Sequence, residues 1–150
     1  MSQLEQLAYL MLTRDEGVRR KPYNDSTGKE VILPSGKVTI GVGRNLTDNG
    51  LSPDEIRYLF HNDFLTHLEI AERFFPDFSR YSTNRQLAIL NLTFNLGEVR
   101  FAGFTETIAA IRAQDWQLAG RCLENSHWFF QVKDRAVRVI TMLVEDCYVY

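Results

Sequence analysis

The chain has 150 residues, with ten Phe, six Tyr and two Trp against nine Gly and four Pro. That is enough length and apolar content to bury a core without metal or disulfide support, and too ordered a composition for a disordered chain. A net charge of −2 argues against a protein devoted to wrapping nucleic acid, and no run approaches the roughly 18–20 apolar residues of a membrane span.

Residues 2–16 read as a helix. Ser2 and Glu5 fit a capping box, Leu4, Leu7, Ala8 and Met11 keep helical spacing, and Gly17 is a natural stop. Glu16 then falls in the last turn, where the negative end of the helix dipole disfavours an ionised carboxylate, an effect opposed by nearby arginines. Residues 23–43 predict a loop and a β-hairpin, with turn formers at Asn24–Gly28 and at Pro34-Ser35-Gly36. Val38 to Gly43 alternates strictly and predicts one strand. Val38, Ile40 and Val42 would make its apolar face, and Thr39, Gly41 and Gly43 a face open to close approach, or simply a thin sheet.

After a loop over 45–51, a long helix is predicted with Ser52 as N-cap, Pro53 at its first position and Glu55 completing a capping box. Its stripe Ile56, Leu59, Phe60, Phe64 and Leu68 runs until Pro76 closes the segment. A helix over 84–96 begins at Thr83 with Gln86 as capping partner, stops at Gly97 and is apolar nearly all round, as a central core helix should be. Thr105 and Asp115 are the expected N-caps of two short helices, and Asp134 of a last one carrying Ala136, Val137, Val139, Ile140 and Leu143.

Cys122 and Cys147 fall in separate predicted helices without metal-ligand or framework spacing, which predicts free thiols in a reducing compartment. The N-terminus lacks the basic and apolar regions of a signal peptide, which predicts a chain made as a soluble cytosolic protein. Basic residues gather at Arg14, Arg19, Arg20 and Lys21, and again at Lys133, Arg135 and Arg138. They read either as solvated helix ends or as a cationic rim around an anionic polymer.

Glu16 and Asp25 offer two carboxyls in different settings, a helix end and a turn, as general acid/base cleavage of a glycosidic bond requires. Spacing alone makes that a weak signal. His61 and His67 flank Asp63, but helix positions six apart point roughly 120° away from each other, so neither a metal site nor any cofactor is expected. His127 stands alone and takes no role. No nucleophilic Ser/His/Asp or Cys/His pattern and no phosphate-binding glycine loop is present.

Four ordered blocks resemble the phage-type lysozymes of glycoside hydrolase family 24, the T-even type among them. The first runs from Asp15-Glu16-Gly17 through Lys21, Tyr23 and Asp25 to Thr39–Gly43, and the second is Leu59–Asp63. The third is Asn91–Glu98, continuing into Ala102-Gly103-Phe104-Thr105, and the last is Ser126-His127-Trp128 with Arg135–Thr141. The resemblance implies a mostly helical α+β fold in a single lysozyme-like domain over 1–150. A β lobe over about 17–51 would join, through a bridging helix over about 53–75, a helical lobe of about 80–150 plus helix 2–16.

It further implies hydrolysis, with inversion, of the β-1,4 bond between N-acetylmuramic acid and N-acetylglucosamine in peptidoglycan. Glu16 matches the general acid, Asp25 the carboxylate that assists the attacking water, and Thr39 the hydroxyl that helps hold that water. Asn95, Trp128 and Phe104 match substrate-binding positions, and Arg135 an arginine beside the catalytic glutamate. An inverting pair must leave room for water, so the carboxyls are expected roughly 6.5–9.5 Å apart.

The loop between Asp25 and Thr39 is longer here than in the T-even type, and the segment from Arg44 to Asp63 is shorter. Arg44 stands where that type has a histidine paired with the aspartate matching Asp63, so an Arg44–Asp63 ion pair is expected. The implied setting is a monomeric endolysin that acts on peptidoglycan glycan strands without nucleic acid or membrane insertion. It would be held in the host cytoplasm until a separate holin lets it reach the periplasmic wall. A non-cutting wall-binding module and a virion-associated entry lysozyme are the alternatives.

Overall fold

A computed structural model describes residues 2–24, 26–33 and 35–150. Helix α1 (Gln3–Glu16) opens with the expected capping box between Ser2 and Glu5 and ends at Gly17, whose φ of 73° turns the chain out of the helix. A two-stranded antiparallel sheet follows, β1 (Thr39–Ile40) with β2 (Arg44–Asn45), and leads into the short α2 (Leu46–Asn49). Helix α3 (Pro53–Phe74) carries the predicted Ser52/Glu55 capping box with Pro53 at its start. The rest is helical: α4 (Thr83–Ala102), α5 (Thr105–Arg112), α6 (Trp116–Glu124), α7 (His127–Val132) and α8 (Asp134–Glu145). The architecture is the mostly helical α+β fold that the resemblance implies.

The core lies among the helices. Leu87, Ala88, Ile89, Leu90 and Leu92 of α4 are fully buried, which makes α4 the central helix. Each large side chain of this set contributes roughly 1.5–3 kcal/mol by leaving water. Helices α8, α3 and α1 pack around α4, and α1 supplies Ala8, Met11 and Leu12 to the same core. Helix α6 crosses α8 at Gly120, where a Cβ would lie 2.6 Å from a Val144 methyl, so only glycine lets the two approach this closely.

The sheet region is held differently. Ile32, Ile40 and Val42 are exposed, and the backbone is fixed by turns and by a clasp between Arg20 and Leu51. There the Leu51 N–H donates to the Arg20 carbonyl at 2.8 Å and Arg20 Nε to the Leu51 carbonyl at 3.0 Å. Gly50, with φ of 60°, sits against that clasp, and a Cβ there would meet the Arg20 carbonyl oxygen at 2.7 Å.

Several local expectations need correction. The predicted strand Val38–Gly43 reverses at its middle: Gly41 and Gly43, at φ of 58° and 76°, form the turn between β1 and β2. Alternation suggested a strand, but left-handed glycines specify a turn more strongly than apolar spacing extends a strand. The cap of α4 is Ser82, whose hydroxyl accepts from Arg85 N–H, while Gln86 donates to the carbonyls of Phe78 and Tyr81.

Thr105 and Asp134 are first helical residues, not caps. Helix α7, capped by Ser126, was not anticipated. Gly97 breaks α4 at φ of 68° without ending it. Cys147 lies just beyond α8, and both cysteines are free thiols.

Candidate active site

Glu16 is the last residue of α1, and its half-exposed side chain projects where Gly17 turns the chain away. Arg135, on the first turn of α8, donates from Nη1 to Glu16 Oε1 at 2.6 Å. Such a pair fixes the carboxyl in one orientation. The fixing begins deeper, at Asp15, whose side chain is only 1% exposed. Asp15 Oδ1 accepts from Arg138 Nη2 at 2.7 Å, and Oδ2 accepts from Asn91 Nδ2 at 2.8 Å and from the Tyr150 hydroxyl at 3.0 Å. Arg135 Nε lies 3.4 Å from the same Oδ2 and donates to Asn91 Oδ1 at 2.8 Å.

Asn91, fully buried in α4, therefore bridges both sides, and its second amide hydrogen goes to the Tyr150 oxygen at 3.0 Å. The Arg138 guanidinium also lies over the Tyr150 ring, 5.1 Å from its centroid. Burial, and then the Asp15 charge beside it, push the Tyr150 phenol up to about 12.

Glu16 borders a cavity of about 340 Å³ between α1, α3 and the loop after α1. Arg19, Tyr23 and Asp63 share its polar edge with Glu16, and Leu12, Phe60 and Phe94 give it an apolar floor. Phe60 stacks on Phe94 at 6.1 Å and meets Tyr9 edge-on at 5.0 Å, which fixes the floor's shape.

Asp25 lies outside the described residues. Thr39, at the start of β1, is exposed, and its hydroxyl donates to the Lys37 carbonyl at 3.4 Å. Trp128 is 3% exposed, and its indole donates to Asn95 Oδ1 at 2.7 Å. The ring is thus a core anchor that orients the Asn95 amide, not a free wall. Phe104 borders a separate shallow hollow with Cys122 and Ser126.

Arg44 does not pair with Asp63. It grips Glu55 with both guanidinium nitrogens, at 2.8 and 2.9 Å, and donates to the Gly50 carbonyl at 2.9 Å. The shortened segment after the hairpin brings the first turn of α3, rather than its middle, within reach of Arg44. His61 takes a partner on α1, with Nδ1 2.7 Å from Glu5 Oε1, and His67 stacks on Phe94 at 4.0 Å. Burial lowers the His67 pKa, against the opposing pull of Asp63. Among the described residues, no three His, Cys, Asp or Glu side chains gather as metal ligands would, and no helix is long and apolar enough to cross a membrane.

The residues not given a role from the sequence are Asp15, Asn91, Arg138 and Tyr150. A signal for the first was present. Asp15 is four positions after Met11 on the stripe that also holds Leu4, Leu7 and Ala8, so a carboxylate stands at a buried phase of α1.

No family model matches the chain. Over 89% of its length it is 29% identical to the pre-baseplate central spike protein Gp5 of Enterobacteria phage T4, of which it spans only 27%. Over 88% of its length it is 24% identical to a probable T4-type lysozyme 2 of Dictyostelium discoideum, and it spans 90% of that protein. Across nearly the whole chain, and in its mostly helical α+β architecture, the protein is thus similar to T4-type lysozymes.

Proposed function

We propose that the chain is a muramidase, a glycoside hydrolase that cuts the β-1,4 bond between N-acetylmuramic acid and N-acetylglucosamine in peptidoglycan with inversion. The observation that carries this reading is the setting of Glu16: a half-exposed carboxyl on a cavity edge, oriented by a buried guanidinium. In the proposed reaction Glu16 protonates the leaving glycosidic oxygen. Water attacks the opposite face of the anomeric carbon and gives a proton to Asp25, while Thr39 helps hold that water. Asn95, with its amide oriented by Trp128, and Phe104 are the proposed sugar contacts on the helical lobe.

The proposed setting is that of a monomeric endolysin released to the periplasmic wall by a separate holin. A second setting, a virion-associated lysozyme acting during entry, is favoured by the identity to a phage spike protein. Probing purified virions with an antibody to the chain separates the two, since an endolysin is absent from them.

The reading is tested by clearing of outer-membrane-stripped bacteria with wild type and Glu16→Gln. General-acid catalysis contributes about 10²- to 10⁴-fold, and a loss of that size is expected in a folded variant. Equal clearing by both proteins would overturn the assignment, and so would tight wall binding without cutting by wild type.

A further inference from the structure

A general acid must begin the reaction protonated, yet Arg135 donates to Glu16 at 2.6 Å. That guanidinium is a positive charge held against the acid, and the charges behind it decide how much of it Glu16 feels. Arg135 and Arg138 supply two positive charges, and the buried Asp15 meets both of them. Asp15 also draws on two neutral donors, the Asn91 amide and the Tyr150 hydroxyl. These satisfy a dry carboxylate without adding another cation.

Tyr150 reaches this point because the segment after α8 is pinned to the start of α4. Asp146 takes the left-handed conformation and bonds Ser82, and Asn84 Nδ2 donates to its carbonyl at 2.6 Å.

We infer that Asp15, held by Asn91 and Tyr150, is a positioning residue for the acid: it offsets part of the positive charge that Arg135 and Arg138 place near Glu16, and it fixes Arg135 in the orientation that holds Glu16. This rests on Glu16 being the general acid. The other charged or titratable groups bordering the Glu16 cavity are Tyr9 from α1, Arg19 and Tyr23 from the loop after α1, and Asp63 from α3. From α4 the nearest polar group in the network is the neutral Asn91.

The test is the pH dependence of hydrolysis of purified peptidoglycan by wild type, Asp15→Asn, Tyr150→Phe, Arg138→Gln and Glu16→Gln, with thermal unfolding followed in parallel. Loss of one nearby charge moves a carboxyl's titration by about one unit or more. The alkaline limb of Asp15→Asn should therefore shift about one pH unit toward acid, so that activity near pH 8 falls about tenfold more than activity near pH 5. Tyr150→Phe should shift the limb the same way by less. Arg138→Gln, which removes a cation without touching Glu16, should shift it the opposite way.

A uniform drop at every pH, or an unmoved limb in folded variants, would overturn the inference and leave Asp15 a structural residue. If Asp15→Asn does not fold, the opposite shifts of Arg138→Gln and Tyr150→Phe decide it. A Glu16→Gln protein with wild-type activity overturns the underlying reading itself. An inactive Glu16→Gln with unmoved limbs in the others overturns only the role of Asp15.

Discussion

Two arginine–carboxylate assemblies in this chain are built by opposite means. At the junction of α1, α4 and α8, Asp15 is 1% exposed and is bonded by two arginines, an amide and a phenol. At the start of α3, Arg44 makes a forked pair with Glu55, but both side chains are about two-fifths exposed. Glu55 is also held below the usual carboxylate range chiefly by the Ser52 backbone and side chain, with Arg44 a smaller influence. Losing a charged member of the first assembly leaves buried charge poorly compensated, which is costly. Losing a member of the second is not, because water replaces either partner. Precision is thus concentrated on the helical side of the molecule, where Glu16 sits, and the sheet side is fastened by exchangeable surface contacts.

Arg135→Met breaks the buried assembly at its centre and should give the largest effect. Breaking a buried pair costs about 3–5 kcal/mol, read as a fall in the urea midpoint with unchanged slope. A loss below about 1 kcal/mol would erase the contrast between the two assemblies.

Alkali should find the next weakness. The Tyr150 phenol is raised to about 12 in the fold from an ordinary value near 10, so its proton contributes stability that is fully present below pH 10. That contribution is lost as pH rises through about 12. Unfolding followed from pH 8 to 12 should show this step in wild type. Tyr150→Phe should lack it, while giving up about 1 kcal/mol of hydrogen bonding at neutral pH. The same step in both proteins would assign it elsewhere.

The smallest effect is expected at Arg44. Arg44→Ala should cost about 0–1 kcal/mol and less in high salt. A loss as large as that of Arg135→Met would mean that the sheet region is not fastened in the way its exposure suggests.

Much of this was legible in the sequence, for physical reasons that differ between regions. The Ser2/Glu5 and Ser52/Glu55 capping boxes, Gly17 as a stop and α4 as an all-round apolar helix rest on local rules, and the structure follows them. In the hairpin, Val38–Gly43 carries two signals at once, and the positive φ of Gly41 and Gly43 prevails over alternation. The Arg44 partner is Glu55 and not Asp63 because ion pairing depends on how far the segment lets a side chain reach, which spacing does not state. Residues Asp15, Arg135 and Arg138 could have been read as a buried charge cluster, since each falls among the apolar positions of its helix. Tyr150 could not, because its role depends on the path of the chain after Asp146.

The most direct measurement of the central claim, that Glu16 drives hydrolysis of the glycan, is mass spectrometry of muropeptides released from peptidoglycan in ¹⁸O-labelled water. Wild type should yield reducing N-acetylmuramic acid ends carrying one labelled oxygen per cut bond, and folded Glu16→Gln should release almost none. Anhydro ends without label, or the same labelled products from Glu16→Gln, would contradict it.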